Sequence, residues 1–104
     1  MPKYLFVYHG GSQPASKEEG DKVMADWNSW IGQVGKSMID VGNPTGGNRT
    51  VASNGSVSNG GADPTTGYSI IEAPDMDSAL NAAKMCPQLK SKGSVEVAEI
   101  MPVM

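Results

Sequence analysis

The sequence predicts one small α+β domain with the βαββαβ element order of a ferredoxin-like sandwich. Three observations predict it. The closing third, from Gly67 onward, reads as strand, capped helix, strand. The opening residues form an apolar strand that leads, through a capping signal, into an amphipathic helix. Between these halves lies a Gly/Ser/Asn/Thr-rich insertion, residues 42–66, with the pattern of a small hairpin. At 104 residues the chain fits a single domain, residues 1–104, with a modest core.

Residues 4–8, Tyr-Leu-Phe-Val-Tyr, are aromatic and β-branched, hence a strand. Tyr4, Phe6 and Tyr8 share one face, Leu5 and Val7 the other. Neither face is polar, so each needs a cover. The helices supply one cover. A partner subunit is the economical source of the second.

His9-Gly10-Gly11 ends this strand. Ser16-Lys17-Glu18-Glu19 forms a capping box, and its acidic residues suit a helix N-terminus. Val23, Trp27, Trp30, Ile31 and Val34 then recur at helical spacing, and Gly35 is a natural stop. The helix is expected over residues 16–34, with Trp27 and Trp30 on its buried face.

A short strand is expected over residues 37–41, with Ile39 and Val41 toward the helices and Met38 and Asp40 away from them. In the insertion, Asn54-Gly55 predicts a type I′ turn between residues 50–53 and 56–58. With so few apolar side chains, that hairpin is not stable alone.

Residues 67–72 form the next long strand. Asp75 is a plausible N-cap for a helix whose buried face carries Met76, Leu80 and Ala83, with Ala79, Ala82 and Cys86 beside them. Pro87 stops this helix. Val95 and Val97 lie on one face of the last strand; Glu96, Ala98 and Ile100 lie on the other. If the strands flanking this helix pair in parallel, their crossover must be right-handed.

Composition narrows the function classes. The formal charge is −3, and the eight Lys and Arg residues are scattered, which argues against a nucleic-acid surface. Nothing approaches the ~20 apolar residues of a membrane span, and the N-terminus lacks the pattern of a signal peptide. The lone cysteine, Cys86, excludes an internal disulfide and fits a reducing compartment, so a cytoplasmic protein is expected.

The series Gly67-Tyr68, Ile71-Glu72, Asp75-Met76-Asp77, Ala79-Leu80, Cys86-Pro87, residues 93–97 and residues 101–104 resembles the YCII-related family. The closer resemblance is to the branch named for an Asp-Gly-Pro-Phe motif, which the opening strand and the hairpin also fit. The resemblance implies a ferredoxin-like sandwich whose sheets pair face to face as a dimeric α+β barrel. Two departures stand out. The tetrapeptide is reduced to Asn59-Gly60-Gly61-Ala62, keeping only its glycine. The family's His–Asp dyad does not carry over, because Asp26 falls where the histidine would be.

Within such a barrel, several residues are candidates for a site. His9, the only histidine, is either an acid or base at the mouth of a cavity or a surface residue before a turn. Asp40 and Glu96, if they point between the sheets, are desolvated carboxylates with raised pKa; otherwise they reach water or pair across strands. Tyr4, Tyr8 or Tyr68 can donate to such a carboxylate. A ligand would thus meet Tyr8, Asp40, Tyr68 and Glu96. Asp26 reads as a solvated helix charge and Cys86 as a small buried hydrophobe rather than a nucleophile. One histidine and one distant cysteine make no zinc site, and no cofactor is expected.

Three functions fit this pattern. The first is a homodimer binding a small apolar or aromatic molecule between the sheet and the hairpin. The second is an enzyme using His9, Asp40 or Glu96 in proton transfer. The third is a structural or regulatory dimer without ligand.

Overall fold

The computed structural model describes residues 1–61 and 63–102. Its framework is a four-stranded antiparallel sheet of β1 (Lys3–Gly10), β2 (Met38–Asp40), β5 (Thr65–Glu72) and β6 (Gly93–Glu99), in spatial order β2-β5-β1-β6. A separate two-stranded ribbon, β3 (Arg49–Val51) and β4 (Val57–Asn59), fills the insertion. Two α-helices, α1 (Lys17–Val34) and α2 (Met76–Lys84), and two short 3-10 turns, Gly35–Ser37 and Pro87–Ser91, complete the regular elements among the described residues. The α+β architecture expected from the sequence is present, with an antiparallel sheet. The strands flanking α2 do not pair, however. β1 lies between them, antiparallel to both.

Both helices sit on one face of the sheet. Tyr4, Phe6 and Tyr8 of β1 and Ile71 of β5 form a buried layer with Trp30 of α1 and Ala79 and Ala83 of α2. The shortest dimension, 18 Å, has room for one sheet and one helix layer. The opposite face carries Leu5, Val7, Tyr68, Ile70 and Ala98 side by side in register, all half-buried, and neither helix covers it.

The helix ends obey the capping signals. Ser16 Oγ accepts from the Glu19 N–H at 3.1 Å, and Glu19 reaches back to the N–H of Ala15. Asp75 Oδ1 accepts from the Ser78 N–H at 2.8 Å, which holds its carboxyl below the usual carboxylate range.

Which side chains are buried departs from expectation in three places. Trp30 is buried at 3% exposure, stacks on Phe6 and donates from Nε1 to the Ala82 carbonyl at 3.0 Å. Trp27 is only half-buried. On α2, the alanines and Cys86 make the contact, while Met76 and Leu80 stay exposed. Small residues let α2 settle on the sheet, and the long side chains flank the contact. In β2, a bulge sets Met38 opposite Ile71 but Asp40 opposite Ile70. One extra residue therefore returns Met38 to the helix side, leaves Ile39 exposed and keeps Asp40 on the open face.

The hairpin is present, with a different turn. The Gly55 N–H donates to the Ala52 carbonyl and the Ala52 N–H to the Ser56 carbonyl, both at 2.8 Å. Gly55 has φ 89°, whereas Asn54 has no positive φ, so this is a three-residue loop rather than a type I′ turn. Asn54 Oδ1 accepts from Ser56 N–H and Oγ–H, which closes it. The degenerate tetrapeptide ends at Ala62, outside the described residues.

Candidate functional site

Two separate features lie on opposite faces of the sheet. The first is a cleft of about 450 Å³ between α1 and the end of β5 nearest the 41–44 segment. An aromatic series leads into it. Phe6 stacks on Trp30, Trp30 meets Trp27 edge-on at 5.7 Å, and Trp27 meets Tyr8 edge-on at 5.2 Å. Such edge contacts fix ring orientation as well as burying area. Val23, Met24 and Ile31 of α1 extend the apolar wall; Val41, Gly42 and Pro44 form the opposite lip.

That lip is held beside β5 by backbone contacts. Pro44 bridges to Gly67, Tyr68 N–H donates to the Asn43 carbonyl, and Thr45 N–H donates to the Thr66 carbonyl. Gly42 makes the approach possible. Its φ is 78°, and a Cβ there would collide with the Tyr68 carbonyl oxygen.

The inner end of the cleft is polar and buried. Tyr8 Oη–H donates to Ser69 Oγ at 2.8 Å, and Ser69 Oγ–H donates to the Val41 carbonyl at 2.6 Å. Burial raises the Tyr8 phenol well above its ordinary pKa, against the opposing bond to Ser69. Cys86 lies beside it, 1% exposed, its thiol pushed by burial up to about 11. That thiol is protonated at neutral pH, so the expectation of a small buried hydrophobe rather than a nucleophile holds.

The second feature is on the open face. His9 follows a bulge, where Tyr8 pairs with Gly67 but His9 with Thr65. Its Nε2 lies 3.0 Å from Glu96 Oε1 and its Nδ1 3.0 Å from the Asp63 carbonyl oxygen. Asp63 Oδ1 is 3.6 Å from Nδ1. A carbonyl and a carboxylate only accept, so both ring nitrogens need protons to satisfy this geometry. Glu96 chiefly, with Asp63, raises the His9 pKa above its ordinary value, and partial burial opposes the shift. Both contacts favour the protonated form of the ring.

The candidate residues thus divide. Tyr8 and Tyr68 line the cleft; His9 and Glu96 meet on the open face. Asp40 is exposed on the far edge strand, with β5 and β1 between it and Glu96, and its Oδ1 accepts from the Gly42 N–H at 2.8 Å. Asp26 is half-buried on the flank of α1, in a groove with Lys22 and Lys90. The hairpin strands line no part of the cleft. Sequence reading missed Trp27 as a cleft wall and Ser69 as the partner of Tyr8. The clue to Ser69 was a lone hydroxyl at a strand position whose register demands burial. Among the described residues, no group of three metal-ligating side chains converges, and no helix is long and apolar enough to cross a membrane.

The fold defines a two-layer α+β domain with an open sheet face and a cleft beneath its first helix. The chain belongs to the YCII-related domain family, whose description matches residues 4–104. No curated protein sequence matches it. Among solved structures it is similar to 5-chloro-2-hydroxyhydroquinone dehydrochlorinase (TftG) from Burkholderia phenoliruptrix AC1100, in complex with 2,5-dihydroxybenzoquinone. The identity is 22%, 93% of each chain is covered, and the TM-score is 0.53. That likeness establishes the shared fold.

Proposed function

We propose that the chain acts as a single homodimeric domain that binds a small apolar or aromatic molecule in the cleft beneath α1. The observation that carries this reading is the cleft itself. It offers about 450 Å³ bounded by Trp27, Tyr8 and aliphatic side chains, with few polar groups, as small-molecule sites do. Tyr8 is its ligand-facing tyrosine, and Tyr68 contributes at the cleft edge, where Gly42 packs against it. A dehydrochlorinase of the same fold is known in complex with 2,5-dihydroxybenzoquinone, which adds support for a small ring compound.

The dimer pairs the two open sheet faces into an α+β barrel. Leu5, Val7, Ile70 and Tyr68 are contiguous there and otherwise meet water. Asp40 and Glu96 belong to that barrel interior in this reading. Membership of the Asp-Gly-Pro-Phe branch is part of the same proposal; Gly60, the glycine kept from its tetrapeptide, stands where a side chain would press into Asn48. A cytoplasmic location fits the single buried thiol.

A second reading rests on the 3.0 Å His9–Glu96 pair, which would act as a general acid within the barrel. Titration with naphthalene-sized aromatics, followed by tryptophan fluorescence and thermal shift, tests the first reading. Saturable quenching lost in Trp27→Ala is the expected result. No change in either signal across the series would reject the cleft as a ligand site.

A further inference from the structure

The direction of the hydrogen bonds at the inner end of the cleft specifies what it accepts. Val41 contributes a carbonyl, which has no proton to give. Ser69 Oγ lies 2.6 Å from that oxygen, a distance that requires the serine proton between them. Ser69 therefore has no second proton for Tyr8, and the Tyr8 proton is spent on Ser69. Both hydroxyl protons are thus engaged within the protein. What Tyr8 Oη has left is lone-pair capacity. The neighbouring Cys86 thiol is only a weak donor and competes poorly for it.

The charge of the wall adds a second constraint. Among the described residues, no Lys, Arg, His, Asp or Glu lines this cleft. An ionised ligand would lose hydration without gaining a counter-ion. Neutral donors elsewhere in the lining are the Trp27 indole, the Tyr68 phenol and the amide side chains of Asn28 and Asn43, whereas Gln88 Nε2 and Thr66 Oγ1 already donate to backbone carbonyls of β1.

We infer that the cleft selects a neutral aromatic compound carrying a hydroxyl or N–H donor at its inner end, with Tyr8 Oη accepting that proton and Ser69 setting the direction. Aromatic carboxylates and ring compounds offering only acceptors there are discriminated against. This inference rests on the proposed cleft-binding reading and names its ligand class.

Calorimetric titration at neutral pH with naphthol, its methyl ether, methylnaphthalene and naphthoate tests it. Naphthol is expected to bind about tenfold tighter than the ether or the hydrocarbon, the value of one well-placed hydrogen bond at a dry site, and naphthoate weakest. In Tyr8→Phe that preference disappears while methylnaphthalene still binds. In Ser69→Ala the tyrosine proton is released into the cleft, and the methyl ether gains on naphthol. Equal binding of the three neutral compounds, or tighter binding of naphthoate than naphthol, overturns the inference and leaves the cleft a ligand site. Absence of binding by every neutral compound overturns the inference and the cleft reading together. The unmodified protein alone decides these outcomes, so poor folding of either variant does not protect the inference.

Discussion

His9 Nε2 lies 3.0 Å from Glu96 Oε1, two residues that face each other from neighbouring strands although 87 positions separate them. The contact raises the pKa of His9, so the charged pair favours the folded state. Its contribution is complete below the unfolded histidine value of about 6.5 and is lost as pH rises through the higher folded value. His9 is the only histidine, so its ring resonances in an NMR pH titration are unambiguous. The midpoint is expected above that of an unfolded reference, and Glu96→Gln is expected to lower it. A midpoint unchanged by the substitution would show that the pair is not formed in solution.

The two tryptophans of α1 should behave differently. Trp30 is 3% exposed, stacked on Phe6 and bonded to the Ala82 carbonyl. Trp30→Ala is expected to cost about 3–5 kcal/mol in urea denaturation, because a cavity opens in the helix–sheet core. Trp27 borders the cleft, where the space left by its ring is already open to water. Trp27→Ala is expected to cost about 1–2 kcal/mol less than Trp30→Ala and to fall more heavily on ligand binding. A larger loss for Trp27 would reverse the assignment of core and wall.

The elements and the order of the fold were legible in the sequence because each carried its own local signal. Ser16 and Asp75 announced helix starts, and the alternation through residues 4–8 announced a strand with two apolar faces. What was not legible depended on tertiary fit. The bulge in β2 moves Met38 to the helix side, and nothing local distinguishes a bulged strand of three residues from a regular one. The burial of alanines over Met76 and Leu80 follows from how closely α2 approaches the sheet. His9 and Glu96 were each legible as titratable groups at candidate positions, His9 at the end of the first strand and Glu96 on the side of the last strand away from Val95 and Val97. Their meeting was not, because it depends on β1 and β6 being neighbours in register. Ser69 showed in the sequence only as a lone hydroxyl in a strand, and its bond to Tyr8 depends on the register that sets the two diagonally across β1 and β5.

Gly42 is expected to be the least replaceable residue in the cleft lip. At φ 78° an alanine is strained, and its Cβ would overlap the Tyr68 carbonyl oxygen on the neighbouring strand. Backbone, unlike a flexible side chain, cannot yield cheaply. Gly42→Ala should therefore destabilise by more than about 2 kcal/mol and separate the lip from β5. Denaturation and ligand affinity should worsen together. Tolerance of alanine here would mean that the 41–44 segment does not lie against β5 in solution.

The open sheet face gives the most decisive prediction about assembly. Val7 lies opposite both Tyr68 and Glu96, and its neighbour Leu5 lies opposite Ile70 and Ala98. A face this apolar is stable in water only if something covers it, and α1 and α2 are both committed to the other side. Light scattering is expected to give twice the chain mass at micromolar concentration. Val7→Lys should halve that mass while leaving the circular dichroism of the helices intact, because the side chain points away from the core layer. The substitution places a charge against the partner's apolar residues, and the neighbouring Glu96 is already engaged by His9. It should also leave the cleft open to its ligand, since Val7 and the cleft are on opposite faces of the sheet. A wild-type protein that runs as a monomer would remove the barrel, and with it the acid role of His9. The cleft beneath α1 is built within one chain and would survive that result.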